Sequence, residues 1–171
     1  MRAEVVSMDA KHPDKEAIKR AGQILQNGGL VAFPTETVYG LGGNALDPRA
    51  SMKIYAAKGR PSDNPLIIHI ADMSSLPKIV SEIPAKAQLL AEKFWPGPLT
   101  MILPKAEIVP GETTGGLDSV AVRFPSDLIA QELIKAAGGF VAAPSANTSG
   151  RPSPTRAEHV EEDLGDAIDM I

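Results

Sequence analysis

Cysteine is absent from all 171 residues, which rules out disulfides, thiolate nucleophiles and cysteine-ligated metals. Aromatic residues are scarce, at 4%, and scattered, so no interleaved series of stacking side chains is available to hold single-stranded nucleic acid. Positive charge is not in excess either. The net charge of −4 argues against a protein that wraps a polynucleotide. Long apolar runs are missing: stretches such as 66–70 are far too short to cross a bilayer, and the opening Met-Arg-Ala-Glu-Val-Val turns polar before a signal-peptide core forms. A cytoplasmic protein with no membrane association is the expectation. His12, His69 and His159 show no local metal-ligand spacing, so no metal site is expected. No Walker-type phosphate loop and no Gly-x-Ser-x-Gly elbow occur, which leaves a P-loop enzyme and a serine hydrolase unsupported.

What is present is a chain of single-domain length with the composition of a globular protein: 43% hydrophobic and 22% charged. Its 15 glycines and 15 prolines punctuate short periodic segments, with no repeat and no linker-like break. Helices are predicted over 14–26, from Asp47-Pro48 through Tyr55, and over 85–94, 127–137 and 156–164. Strands are predicted over 30–33, 66–70, 99–103, 120–124 and 140–143. Alternating strands and helices define an α/β domain around a mixed, largely buried sheet. The Gly-rich stretch 104–119 reads as a long loop, and the apolar end 168–171 as an edge strand or the point where a domain is cut short.

Charge is unevenly placed. Arg49, Lys53, Lys58 and Arg60 form a run without acids, whereas the segment after Thr155 carries six acids against Arg156. A local basic cluster of this size suits a small anionic ligand. Four segments concentrate polar groups beside apolar strands. Pro34-Thr35-Glu36-Thr37-Val38-Tyr39-Gly40-Leu41-Gly42-Gly43 leaves a buried strand as a loop bearing hydroxyls, a carboxylate and glycines that let a ligand approach the backbone. Its Gly40-Leu41-Gly42-Gly43-Asn44-Ala45 string mimics a dinucleotide fingerprint, but Asp47-Pro48 follows too soon for a helix to open across it. Lys58-Gly59-Arg60-Pro61, read as extended, puts both cations on one side to hold a phosphate or carboxylate. His69, alternating with apolar neighbours, reads alone as a satisfied core histidine, and Trp95 in Trp95-Pro96-Gly97-Pro98 as core filler in a rigid turn. Pro144-Ser145-Ala146-Asn147-Thr148-Ser149-Gly150 again ends a buried strand in small donors, which could equally form side-chain turns.

In succession, and together with Asn64-Pro65-Leu66, Leu99-Thr100 and Val122-Arg123, these strings resemble the YrdC-like family of threonylcarbamoyl-adenylate synthases over about residues 28–155. The resemblance implies a twisted mixed α/β sheet flanked by helices, with a deep basic cavity. It implies synthesis of L-threonylcarbamoyl-AMP from L-threonine, bicarbonate and ATP with Mg²⁺, releasing pyrophosphate. Separate tRNA-modifying transferase proteins would then pass the group to an adenosine beside the anticodon. It further implies a catalytic tetrad of Lys58, Arg60, Ser145 and Asn147. Thr35 and His69, with Lys58 and Arg60, would contact threonine or its carbamate; Arg123, with Lys58, Ser145 and Asn147, would contact the nucleotide. Family members continue past the position of Ile171 with a strand containing a Ser-Thr pair and a later Arg. The expectation is therefore one domain over 1–171, either shorter than its relatives' or with a cavity completed otherwise. Two alternatives accompany this reading: the carbamoyl-adenylating domain of hydrogenase maturation proteins, and a non-catalytic module that binds RNA weakly through the basic cavity.

Overall fold

In the computed structural model, which describes Met1–Ile171, the elements run α1 (Lys15–Gln26), β1 (Val31–Phe33), β2 (Gly40–Asn44), α2 (Pro48–Lys58), β3 (Ile67–His69), α3 (Leu76–Ile79), α4 (Ala85–Phe94), β4 (Thr100–Pro104), β5 (Ser119–Arg123), α5 (Leu128–Ala136), β6 (Val141–Ala142) and α6 (Ala157–Leu164). Three helices start on an aspartate that accepts first-turn backbone N–H groups: Asp14 from Glu16 and Ala17, Asp47 from Arg49, and Asp127 from Ala130. Such a cap contributes about 1 kcal/mol by satisfying donors the helix itself cannot pair.

The six strands form one mixed sheet in the order β1-β2-β6-β3-β5-β4, parallel only between β3 and β5. Residues of β1 alternate between its two sides. Val31 and Phe33 join Ile18, Leu25, Leu133 and Ile134 under α1 and α5, while Ala32 joins Leu41, Ile54 and Ile68 on the other side, which also receives Val160 and Leu164 of α6. Helices therefore cover both faces, which keeps the strands short and apolar.

Two expectations need correction. The Gly-rich stretch after Tyr39 is not a loop: Gly40–Asn44 is strand β2, antiparallel to β1 (Val31 opposite Gly42) and to β6. Glycine is needed there for close approach, since a Cβ on Gly42 would lie 2.9 Å from both Phe33 Cε1 and Val141 Cγ1. The apolar end 168–171 is not an edge. Ala32 N donates to Met170 O (2.9 Å) on one side, while Glu4 N donates to Asp169 O (3.0 Å) and Ile171 N to Glu4 O (2.9 Å) on the other. The N-terminal segment thus lies outside it and pairs its remaining backbone groups. Between its first residue, which ends β4, and its last, which opens β5, stretch 104–119 is a loop of turns, fastened by Tyr55 Oη to Glu112 O (2.7 Å) and Thr113 Oγ1 to Ala45 O (2.7 Å). No helix is long and apolar enough to cross a membrane.

Candidate functional site

At one end of the sheet the β1–β2 connection, the loop after α2, β3, the end of β5 and the segment after β6 enclose a cavity of about 310 Å³. Thr35, Arg60, His69, Arg123 and Ser145 all line it, with Tyr39, Gly40, Pro65 and Pro144 forming walls. Residues chosen from five separate strings of sequence therefore meet around one space. The lining holds two guanidinium groups and no carboxylate, a charge balance that suits an anion. A second cavity of about 340 Å³, between residues 5–8, α1, β1 and α5, is lined mostly by apolar side chains, with Ser7 and Glu158 among them, and has no arginine or lysine.

The β1–β2 connection is ordered by its own side chains. Thr35 Oγ1 donates to Val38 O (2.7 Å) and lies 3.2 Å from both Thr37 N and Thr37 Oγ1. The segment after β6 continues alongside β2: Leu41 N donates to Pro144 O (2.9 Å) and Ala146 N to Tyr39 O (2.8 Å), which sets Ser145 opposite Gly40.

Lys58 and Arg60 do not sit in an extended segment, contrary to the expectation. Lys58 is the last residue of α2, and Gly59 ends the helix in the left-handed region (φ 61°, ψ 33°), with Arg60 N donating to Tyr55 O (2.9 Å). A Gly at this position ends a helix without steric cost, and the chain then turns rather than extends. The two cations are consequently divided. Arg60 donates from Nε to Asn64 O (3.2 Å) and from Nη2 to Pro65 O (2.9 Å), and lines the cavity. Lys58, only 2% exposed, turns away into the 145–149 segment: its ammonium donates to Ser145 O (2.5 Å) and Asn147 O (2.6 Å), and its own carbonyl accepts from Ser149 N (2.9 Å). Burial, reinforced by nearby Arg60, lowers its pKa to about 8, with Asp163 opposing. Asn147 is buried beside it. Its amide Nδ2 donates to Thr148 O and Arg151 O, both at 2.9 Å, and its Oδ1 is buried with no partner in the protein. The structure thus brings Thr35, Arg60, His69, Arg123 and Ser145 to the cavity and sets Lys58 and Asn147 behind its Ser145 wall.

His69 is buried (3% exposed) with its ring edge-on to Phe33 at 6.1 Å between centroids. Its Nδ1 lies 3.0 Å from Ile67 O, which can only accept, so this nitrogen carries the proton. Burial pushes its pKa down from 6.5 to about 4, against the effect of the Ile67 and Val141 backbone groups. Between those values the unfolded chain binds a proton that the folded chain refuses, so stability falls as pH drops. Urea titrations should show the domain losing up to about 3 kcal/mol between pH 7 and pH 4 on this account, a loss that His69→Gln largely removes. An equal acid loss in His69→Gln would assign the effect to other groups.

Two contributors carried no role in the sequence reading. Glu36 was visible only as a carboxylate among hydroxyls, and it pairs with Arg123 and with Ser126 of the β5–α5 junction. Tyr39 supplies both a wall and the backbone carbonyl that holds Ala146.

The sheet, its two helical layers and the cavity lined by Arg60 and Arg123 define an α/β domain with a polar pocket at one sheet end. The family model Sua5_yciO_yrdC, described as "Telomere recombination", matches residues 23–171, and the chain belongs to this family. It is 58% identical over 154 residues to the threonylcarbamoyl-AMP synthase of Pyrococcus abyssi, covering 90% of this chain and 45% of that protein. It is 54% identical over 152 residues to that of Bacillus subtilis, covering 88% and 44%. The solved structure of P. abyssi Sua5 complexed with L-threonine matches with a TM-score of 0.94 at 53% identity, covering 100% of this chain and 49% of that one. The chain thus spans about half the length of these relatives.

Proposed function

We propose that this domain binds L-threonine and ATP and forms L-threonylcarbamoyl-AMP. The amine of threonine and bicarbonate give a carbamate with loss of water. A carbamate oxygen then bonds to the α-phosphorus of ATP as the bond to the β-phosphate oxygen breaks, and pyrophosphate leaves. Separate tRNA-modifying proteins would transfer the threonylcarbamoyl group to the adenosine beside the anticodon. The observation that carries this reading is the meeting of Thr35, Arg60, His69, Arg123 and Ser145 around one cavity, in a fold shared with a threonine-bound relative.

The chemistry asks two anions to approach each other, and Arg60 and Arg123 offset that repulsion. Arg60 has N–H donors left over beyond those given to Asn64 and Pro65, and Arg123 lines the same cavity. His69 stays neutral at working pH and contributes shape and hydrogen bonding without charge. The Thr35 hydroxyl, its proton given to Val38 O, keeps an acceptor oxygen, and Ser145 sits on a segment held opposite Gly40 by backbone bonds, so little ordering remains to be done on binding. Lys58 acts from behind by holding the carbonyls of Ser145 and Asn147. The lining does not fit a protein-held magnesium ion: it has no carboxylate, and no group of three or more His, Asp or Glu side chains gathers anywhere in the chain. Magnesium would arrive with ATP, held by its phosphates rather than by the protein.

Pyrophosphate release from ATP and Mg²⁺, with L-threonine and bicarbonate omitted in turn, tests the reading. Release that requires both supports it; release indifferent to threonine, or no release and no threonine binding by calorimetry, refutes it for this chain.

A further inference from the structure

Glu36, on the connection between β1 and β2, does not direct its carboxylate to solvent. Oε1 accepts from Arg123 Nη2, and Oε2 accepts from the backbone N–H of Ser126 and from Ser126 Oγ (2.6 Å). Two more contacts fix the same guanidinium: Arg123 Nη1 donates to Thr37 Oγ1 and Nε to Gly97 O, each at 3.4 Å. A guanidinium has five N–H donors in one rigid plane. Three are committed by these contacts, one from each nitrogen, which leaves one on Nη1 and one on Nη2. Because the group is planar, holding three donors also sets the direction of the remaining pair, and Arg123 lines the cavity.

We propose that Glu36 is a positioning residue that, anchored on Ser126, holds the Arg123 guanidinium so that its two uncommitted N–H groups meet the anionic substrate. The inference rests on the functional reading above, in which Arg123 receives the nucleotide. A free arginine side chain gives up rotamer freedom when it is fixed by a ligand. Here the fold has fixed it beforehand, through a pair of charged groups 87 residues apart in sequence that ties the β1–β2 connection to the end of β5. The carboxylate also places a negative charge beside an anion site. Its hydrogen-bonding geometry therefore outweighs an electrostatic cost, and an arrangement serving charge alone would have no use for it.

Glu36→Ala is expected to raise the KM for ATP in the pyrophosphate-release assay about tenfold or more, the scale of a lost charge-assisted hydrogen bond. Glu36→Gln, which keeps one acceptor, should fall between the two. The effect should vanish in an Arg123→Ala background, so that the double variant is no worse than Arg123→Ala alone. Losses that add, or a lower kcat at unchanged KM as expected from a smaller folded fraction, would overturn the proposal. A second readout needs no substrate: in ¹⁵N-labelled protein the Arg123 Nη resonances should be resolved by slowed rotation of the guanidinium and should collapse in Glu36→Ala. Identical spectra overturn the positioning role. A parent chain that neither releases pyrophosphate nor binds ATP counts against the functional reading, and the spectra then decide the role of Glu36 by themselves.

Discussion

Lys58→Ala is expected to cost the domain about 2–5 kcal/mol and to abolish ligand binding with it. The ammonium is buried and makes two short charge-assisted bonds, to Ser145 O and Asn147 O. Removing it leaves two carbonyls without their partner, each worth about 1–3 kcal/mol when buried and unsatisfied. Those carbonyls belong to the segment that forms the Ser145 wall of the cavity, so the loss spreads to the site. Lys58→Met separates packing from hydrogen bonding, because it keeps most of the volume and none of the donors. A urea midpoint lowered in both variants, with threonine binding lost in both by calorimetry, is the expected pattern. A Met variant as stable and as competent as the parent would show that the clamp does not hold the segment.

Arg60→Ala should behave differently. Its side chain is half-buried, its two protein bonds reach only the adjacent carbonyls of Asn64 and Pro65, and its other donors are free for the cavity. Pyrophosphate release should fall about 10²–10³-fold, the size found when one preorganised electrostatic contact is removed from a transition state. The urea midpoint should move little. Arg60→Lys should not restore the rate, since an ammonium cannot bridge two carbonyls and an anion from one plane. A fall in rate matched by an equal fall in folded protein would instead make Arg60 a structural residue.

These two outcomes show where local sequence signals carried through to the site and where they stopped. Helix starts at Asp14, Asp47 and Asp127 were legible because a short acceptor before an apolar-periodic run satisfies orphan N–H groups wherever it occurs. The strand β2 was not, because Gly-Leu-Gly-Gly-Asn has poor strand propensity; it forms from close packing against Phe33, Val141 and Ile54, which are distant in sequence or on another element. Thr35, Arg60, His69, Arg123 and Ser145 could be named from their strings, yet their convergence depends on a strand order that crosses the sheet non-sequentially. The different destinations of Lys58 and Arg60 turn on Gly59 adopting a left-handed cap, where an extended segment also fits the same four letters. The Glu36–Arg123 pair had no sequence signal, since nothing local links residues so far apart.

The most direct measurement is mass spectrometry of the nucleotides formed from ATP, L-threonine and ¹³C-bicarbonate by the purified chain. The expected product is threonylcarbamoyl-AMP carrying the ¹³C label, absent when threonine is omitted and strongly reduced in Arg60→Ala. An adenylate without the label, or a labelled adenylate that forms without threonine, would contradict the proposal that this cavity joins the three substrates.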